Sequence, residues 1–339
     1  MLRPYLPLVA ATAAALIVAV LAPAGCSRHG SDKVTIMVGG LEKQIYLPAK
    51  LAENLGAFGR AGLTVELLST PAGVEATNEL LAGAVHAVVG FYDHTIDLQA
   101  RGKGIQCIVQ LSRAPGEVVL VSSRHAGDIH TPADFRGRTI GVTGLGSSTN
   151  FLVQHLASKH GVKNTEFSVL PVGAGNTFIT AMQQGRIDAG ITTEPTISRL
   201  IKTGEAFVLV DLRTPESTQA ALGGPYPAAC VYVQAAWLEA NRATAQKLAA
   251  AFVETLRFID THSAAEIADK MPAQYHADDR DLYIRALAEG KAMFTADGKM
   301  PPGGPEMVLS VLGGFDNNVK GKTIDLSRTF TSEFVDAVH

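Results

Sequence analysis

Residues 80–90 (LLAGAVHAVVG) and residues 181–191 (AMQQGRIDAGI) repeat one pattern about a hundred residues apart. In each stretch a glycine, Gly83 or Gly185, ends a predicted helix, and a short buried strand follows. A repeat of this long period predicts two similar lobes, because solenoids repeat units of only about 20 to 50 residues.

A second pair of stretches repeats in the same way. Residues 33–38 lead through two glycines into a predicted helix, and residues 138–143 lead through residues 144–149 (GLGSST) into another. In α/β units of this kind, strand ends and helix starts lie at one edge of the sheet. Two such lobes predict a crevice suited to the capture of a small molecule.

The composition fits two ordinary globular domains. The chain has 339 residues, of which 47% are hydrophobic, enough to build a buried core in each domain. The formal net charge is −3, and the Lys and Arg residues are scattered without interleaved aromatic residues. Nucleic acid is therefore not an expected partner.

Strand and helix patterns alternate through most of the chain, which predicts parallel sheets flanked by helices. Toward the C-terminus the pattern is mainly helical, and we interpret this tail as packing for the first lobe. The second lobe is then inserted into the first. Residues 27–121 begin lobe I, residues 122–226 form lobe II, and residues 227–339 complete lobe I. Two crossings, near Val121 and near Pro227, would form the hinge.

We interpret residues 1–26 as an export signal. Arg3 precedes the apolar run 6–21, and residues 23–26 (PAGC) place small residues before a cysteine. This resembles a bacterial lipoprotein signal, in which Cys26 is acylated and becomes the mature N-terminus. Conventional cleavage and a retained anchor are the alternatives. Each interpretation exports the globular part, so we expect a periplasmic protein, tethered to a membrane surface through its lipid.

Several short motifs stand in an order and spacing typical of one protein family. They are residues 47–52 (LPAKLA), 56–58 (GAF), 62–66 (GLTVE), 81–83 (LAG), 134–142 (DFRGRTIGV), 185–189 (GRIDA) and 193–195 (TEP). With these motifs the chain resembles, over its mature length, the periplasmic substrate-binding component of ABC importers in the nitrate, sulfonate and taurine group. That group shares its fold with binding proteins for thiamine-pyrimidine precursors.

The resemblance implies a type II periplasmic-binding-protein fold, an α/β protein with two doubly wound lobes joined by a two-strand hinge. It implies an extracytoplasmic protein that captures a small ligand, closes on it and docks on an ABC transporter permease. The expected ligand is an aliphatic sulfonate, taurine, nitrate or a similar anion. A thiamine-pyrimidine-like or other aromatic heterocycle is the alternative. We expect a monomer that needs no cofactor.

The strongest candidate for the ligand site is the turn at residues 144–149. A glycine-rich turn that enters a helix exposes unpaired backbone N–H groups and the positive end of the helix dipole, which together bind an anion. The resemblance implies that this turn holds the acidic head of the ligand. The residues expected to take part are Gly146, Ser147, Ser148 and Thr149. The alternative is that a serine here only caps the helix.

Other candidates follow strand ends in the two lobes. They are Gln44, Tyr46, Tyr92, Asp93 and His94 on the first lobe, and Asn176 and Glu194 on the second. Glu194 has a structural alternative, as a cap of the turn before Pro195. Asp93 and Glu194 would suit an amino group, as in an aminosulfonate zwitterion. A flat heterocycle would instead be sandwiched by Tyr46, Tyr92 or Phe178.

An enzyme is not expected. The sequence has no Gly-x-Ser-x-Gly elbow, P-loop or His-Glu-x-x-His motif, and no metal site is predicted. Pyrimidine synthases of the same fold, as the resemblance implies, use a lysine-bound cofactor, a sacrificial histidine and a cysteine cluster. Cys107 and Cys230 stand too far apart to supply that cluster. Both lie in apolar strand patterns, which leaves a disulfide and two buried thiols as alternatives.

Overall fold

The computed structural model describes Met1, residues 32–276 and residues 279–338. The expected export signal, with its lipid attachment at Cys26, lies outside the described residues. Among the described helices, none combines the length and the apolar composition that crossing a lipid bilayer requires.

The described residues form ten strands in two five-stranded sheets. The strands are β1 (Asp32–Val38), β2 (Leu63–Ser69), β3 (Ala87–Phe91), β4 (Ile105–Gln110), β5 (Glu117–Ser122), β6 (Thr139–Val142), β7 (Ser168–Pro171), β8 (Ala189–Thr193), β9 (Ala206–Leu212) and β10 (Ala229–Gln234). The sheet of lobe I has the order β2-β1-β3-β10-β4, and the sheet of lobe II has the order β7-β6-β8-β5-β9.

The two sheets have the same topology. In lobe I, β1 pairs in parallel with β2 and β3, while β10 is antiparallel to β3 and β4. In lobe II, β6 pairs in parallel with β7 and β8, while β5 is antiparallel to β8 and β9. The duplicated lobes predicted from residues 80–90 and 181–191 are therefore confirmed, because β3 and β8 occupy equivalent positions.

Helices connect the strands and complete both lobes. Within the described residues they are α1 (Leu47–Asn54), α2 (Ala57–Arg60), α3 (Gly73–Leu81), α4 (Asp93–Ala100), α5 (Ser148–Lys159), α6 (Asn176–Gln183), α7 (Thr196–Lys202), α8 (Pro215–Leu222), α9 (Ala235–Ala240), α10 (Arg242–Thr261), α11 (Ala264–Lys270), α12 (Arg280–Gly290), α13 (Gly304–Phe315) and α14 (Glu333–Asp336). A 3₁₀ turn at Gln44–Tyr46 precedes α1.

The chain crosses between the sheets twice. The first crossing lies between β4 and β5, at residues 111–116, so the expected crossing near Val121 is wrong. Val121 lies inside β5, which pairs only with strands of lobe II. Because β5 is buried along its whole length, its apolar sequence fits either sheet equally well. The second crossing, at residues 223–228, lies where it was expected, beside Pro227.

Most of the helical C-terminal region packs on lobe I, as the sequence predicts, but α13 also contacts α5 of lobe II, and α12 contacts α7. α10 contacts α1, α2 and α14. The rings of Phe58 in α2 and Phe252 in α10 meet edge to face, with centroids 5.5 Å apart. Lobe I is thus built from residues on both sides of the inserted lobe II, so the chain must pass the hinge twice.

Cys107 in β4 and Cys230 in β10 are buried free thiols. The register places Cys230 opposite Gln110 and Cys107 opposite Tyr232, so the two cysteines are not directly opposed. Both belong to the core of lobe I.

Gly116, at the first crossing, has no room for a side chain. Its φ is +67°, and a Cβ there would lie 2.5 Å from Ile45 Cγ2 and from Met293 Sδ. We predict that Gly116→Ala lowers the free energy of unfolding by about 2 to 5 kcal/mol, through left-handed backbone strain plus overpacking. Gly102→Ala is the control, because Gly102 has a similar φ of +74° with open space where a Cβ would lie. Its free energy of unfolding should fall by only about 1 to 2 kcal/mol. Equal losses in urea denaturation would contradict this account.

Candidate functional site

A small cavity lies between the two lobes, where β1, β3, β6 and β8 end. Its volume is ≈ 10 Å³, about enough for one water molecule. We call it the inner cavity. It is lined by Lys43, Ile45, Tyr46, Gly73, Phe91 and His94 of lobe I and by Glu117, Thr143, Ser147, Ser148, Thr149 and Thr193 of lobe II.

Asp93 joins the two lobes beside this cavity. Its side chain is fully buried. It accepts hydrogen bonds from Ser148 Oγ of lobe II at 2.9 Å and from Tyr226 Oη at 3.0 Å. A buried carboxylate requires such donors, because each one offsets part of the cost of removing the charge from water. The predicted residues Asp93 and Ser148 are therefore brought together, one from each lobe.

His94 presents one unpartnered nitrogen to the cavity. Its Nδ1 lies 3.2 Å from Asp93 Oδ1 and 3.2 Å from the Phe91 carbonyl oxygen, both acceptors, so Nδ1 carries a hydrogen. Its Nε2 is buried and has no hydrogen-bond partner among the described residues. Burial lowers the pKa of His94, but the hydrogen bond and charge of Asp93 outweigh it, and the net direction is upward.

Glu117 is a second buried acid at the cavity. The residue is 2% exposed, and its Oε2 has no hydrogen-bond partner within the described part of the chain. Burial, and then the nearby charge of Asp93, raise the pKa of Glu117 well above its usual value. Thr193, directly opposite Glu117 in the β5–β8 register, likewise has an unpartnered buried hydroxyl. Both side chains leave the same face of the sheet.

Lys43 is a second basic residue of the inner cavity lining, beside His94. Its ammonium donates to the carbonyl oxygens of Gly39 at 2.5 Å and Pro71 at 2.7 Å. Burial lowers the pKa of Lys43 to about 8. Two of the three N–H donors of the Lys43 ammonium are thus bonded to backbone carbonyls of lobe I.

The turn before α5 has the features of the predicted anion cradle. Thr149 Oγ1 accepts from the Thr143 amide at 3.1 Å, and Ser147 Oγ donates to the Gly144 carbonyl at 2.6 Å. The amides of Ser148 and Thr149 have no partner among the described residues. The amide of Gly146 instead donates to Asn150 Oδ1 at 3.0 Å, and Gly146 does not line the inner cavity. Its predicted role in ligand contact is therefore not supported by its position.

A larger cavity of ≈ 530 Å³ opens beside the inner one, and Lys43 lines both. Asn176 and Glu194 lie here rather than in the inner cavity. Glu194 accepts from Arg213 Nη1 at 3.2 Å and from the Ser198 amide at 3.0 Å. These bonds match the structural alternative for Glu194. Its carboxylate forms an ion pair with Arg213 and accepts a hydrogen bond from the first turn of α7.

Three aromatic or polar candidates lie away from the inner cavity. Tyr92 is fully buried and its hydroxyl bonds to Thr329 Oγ1 at 2.5 Å, in the core of lobe I. Phe178 is fully buried in the core of lobe II. Gln44 Nε2 donates to the Tyr283 carbonyl at 3.1 Å, which ties the 3₁₀ turn to α12. Of the aromatic residues proposed to sandwich a heterocycle, Tyr46 lines the inner cavity.

Sequence reasoning missed Lys43, Glu117 and Thr193. Glu117 has one readable signal, since it is a charged residue at the start of an otherwise apolar strand, EVVLVS. Such a residue is buried only when it is paired or functional. Lys43 and Thr193 carry no comparable signal, because their burial results from contacts between distant parts of the chain.

We predict that Glu117 makes stability depend on pH. Its folded-state pKa is raised, so the folded protein holds a proton that the unfolded chain releases near the usual pKa. The free energy of unfolding should fall as pH rises from about 4.5 toward the raised folded pKa. Glu117→Gln keeps the shape of the side chain but cannot ionise. The melting temperature of the variant minus that of wild type should therefore be larger at pH 8 than at pH 4.

The control for this comparison is Glu166→Gln. The backbone amide of Lys163 lowers the pKa of Glu166, so this variant should lose stability relative to wild type as the pH rises, which is the opposite trend. Parallel profiles for wild type and Glu117→Gln would refute the prediction.

A family model described as NMT1/THI5 like matches residues 46–262. The chain is also 25% identical over 166 residues to 4-amino-5-hydroxymethyl-2-methylpyrimidine phosphate synthase of Uromyces fabae. That match covers 48% of this chain and 47% of the synthase, so the chain spans about half the length of this curated relative.

Two solved structures share the fold over nearly the whole described chain. A protein from Bordetella bronchiseptica RB50 is 36% identical, with a TM-score of 0.86, over 90% of this chain and 96% of its own. The alkanesulfonate-binding protein SsuA from Xanthomonas axonopodis pv. citri, bound to MOPS, is 17% identical, with a TM-score of 0.69, over 88% of this chain and 98% of its own. The fold and the relationship expected from the motifs are confirmed: the protein is a member of the NMT1/THI5-like family with the two-lobed periplasmic-binding-protein fold.

Proposed function

We propose that the protein is an extracytoplasmic solute-binding protein that captures a small polar ligand between its lobes and delivers it to the permease of an ABC importer. The inner cavity has room for about one water molecule, so the lobes close on the ligand less tightly than they do in this structure. One observation carries the proposal. His94 of lobe I and Glu117 and Thr193 of lobe II line the same cavity, and His94 Nε2, Glu117 Oε2 and Thr193 Oγ1 are buried without a partner among the described residues. Buried polar groups are almost always hydrogen-bonded, so the three atoms define a site for a polar guest.

Contacts between the lobes support closure as the output of binding. The Gln44 amide donates to the Glu194 carbonyl at 3.1 Å, and Arg213 Nη1 lies 3.0 Å from Glu289 Oε2 of α12. Lys202 pairs with Asp279 in a further ion pair between the lobes. A ligand that touches both lobes stabilises this closed arrangement, because its contacts are lost when the lobes separate.

The ligand we propose is an aliphatic sulfonate, taurine, nitrate or a similar anion. The free Ser148 and Thr149 amides at the start of α5 support an anionic end. The buried acids Asp93 and Glu117 favour a ligand that also carries an amino group, such as taurine. A pyrimidine-like heterocycle is the second candidate, supported by the family and by the ring of Tyr46, without the stacking partners Tyr92 and Phe178.

We propose transport rather than catalysis. The relative is a synthase by name, but among the described residues no cysteine lines the inner cavity, and Cys107 and Cys230 lie in the core of lobe I. Delivery to a permease fits a periplasmic protein tethered through lipidated Cys26, acting as a monomer.

The anchor has its own test. Labelled palmitate should enter the wild-type protein expressed in a bacterial host and should not enter Cys26→Ser. Cys107→Ser, which removes a buried thiol, serves as the control and should keep the label. Label retained in Cys26→Ser would refute the anchor.

Binding and closure are tested with four probes: taurine, ethanesulfonate, nitrate and 4-amino-5-hydroxymethyl-2-methylpyrimidine. At a hundred times its dissociation constant a bound probe stabilises the protein by about 2.7 kcal/mol, which a thermal shift detects. We expect at least one probe to raise the melting temperature, to reduce the radius of gyration in small-angle scattering and to be recovered unchanged. Turnover by the isolated protein, or stabilisation without compaction, would contradict the proposal.

Ser148→Ala should weaken, by about tenfold, the binding of any probe that stabilises the protein. The variant removes the hydrogen bond from Ser148 Oγ to the Asp93 carboxylate, which joins the two lobes in the closed arrangement. Ser158→Ala, on the exposed end of the same helix, is the matched control and should bind as wild type does. Calorimetry measures both affinities. An unchanged affinity in Ser148→Ala would place the ligand elsewhere.

A further inference from the structure

Glu117 stands out among the buried groups of both lobes. Many other buried acids and bases have partners: Asp93 has Ser148 and Tyr226, and Glu194 has Arg213. Among the described residues, one buried oxygen each of Glu117, Glu205 and Asp316 has no partner. Of these three acids, Glu117 is the one whose whole side chain is buried, at 2% exposed, and that lines the inner cavity. A carboxyl group buried in this way costs several kcal/mol unless a partner arrives.

The surroundings of Glu117 favour a particular partner. The neighbouring atoms that lack partners are Thr193 Oγ1 and His94 Nε2. A threonine hydroxyl both donates and accepts, so it can bind beside an N–H group that points at the carboxylate. A ligand that fills this space therefore meets one acid and one adaptable hydroxyl on lobe II.

The charge balance at the inner cavity disfavours a simple anion at this end. Asp93 and Glu117 are both acids, and each of the two basic side chains at the cavity already has acceptors. The ammonium of Lys43 is bonded to the carbonyls of Gly39 and Pro71, and His94 Nδ1 faces Asp93. An oxyanion beside Glu117 would hold its carboxyl group in the neutral form and would leave the ionised form without a partner. A cationic N–H group would instead pair with the carboxylate, since an opposite charge within a few ångströms favours the ionised form of an acid.

We propose that Glu117 is the specificity-determining residue of the inner cavity and that it binds the N–H donors of a cationic amino or amidino group on the ligand. The inference rests on the proposed function and narrows it: the ligand is a compact organic cation or zwitterion. Its N–H end lies at Glu117 and Thr193, and any acceptor end faces the Ser148 and Thr149 amides. Simple sulfonates and nitrate lack the group that Glu117 requires.

The test uses matched pairs of probes, in each of which one probe carries a cationic amino or amidino group and the other has a neutral group of similar size in its place. Taurine is compared with isethionate, which has a hydroxyl in place of the amino group, and acetamidine and benzamidine are compared with acetamide and benzamide. Thermal shift and calorimetry should show that the wild-type protein prefers the N–H cation in at least one pair. Glu117→Gln should bind that cation about 30-fold more weakly, as expected when a charge-assisted hydrogen bond is lost.

A second readout separates recognition from a general structural role. In Glu117→Gln the ratio of the two affinities within that pair should fall close to one, because the neutral amide replaces the carboxylate that distinguished the probe with the cationic group from the probe without it. The control Glu205→Gln should retain both the affinity and the preference. A variant that is merely destabilised would weaken both members of the pair alike, and that result would overturn the inference.

The remaining outcomes of these binding experiments also bear on the role of Glu117. Binding of ethanesulfonate or nitrate without any N–H cation overturns the assignment of Glu117, and closure by those anions would leave the proposed function standing. Failure of every N–H probe to bind overturns the assignment as well. Absence of closure with all probes would remove the proposed function together with the inference.

Discussion

A buried charge must find partners, and this constraint organises the space between the two lobes. Asp93 is fully buried and meets the constraint through Ser148 of the opposite lobe and Tyr226 beside the second crossing. The bond to Ser148 breaks when the lobes separate, so the solvation of one carboxylate is coupled to the closure of the cleft. Glu117 lines the same space, but its Oε2 has no hydrogen-bond partner among the described residues. A bound ligand would supply the missing hydrogen bond.

The duplicated topology explains why these groups meet. Both sheets use parallel strands whose ends point at the same crevice, and each lobe adds one antiparallel strand, β10 or β5, beside the crossing. Polar residues that follow β3 and β6 therefore face each other across the site. Glu117 enters from the first residue of β5, directly after the crossing. The hinge and the binding groups are thus neighbours along the chain, which lets a ligand at Glu117 act on closure.

The periodicity of the apolar residues and the glycines at the ends of helices predicted most of this fold and part of the site. The turn at residues 144–149 and the pair Asp93–His94 were found because they follow strand ends, where topology concentrates ligand contacts. The sheet that β5 joins was not readable, since EVVLVS is apolar on both faces. Tyr92 was misplaced because sequence does not reveal which way a side chain turns after a strand, and its hydroxyl bonds to Thr329, far along the chain. Glu117 and Thr193 could not be predicted as site residues, because only the β5–β8 register shows that they lie opposite each other.

The central claim is that atoms of both lobes jointly bind one small solute. A crystal structure of the exported protein, purified without denaturation and soaked with a saturating probe from the matched pairs, tests it most directly. The account predicts density for a single molecule within hydrogen-bond distance of Glu117 and Thr193 on one lobe and of His94 on the other. A molecule held by one lobe alone, or ordered water as the sole occupant of the closed site, would contradict it.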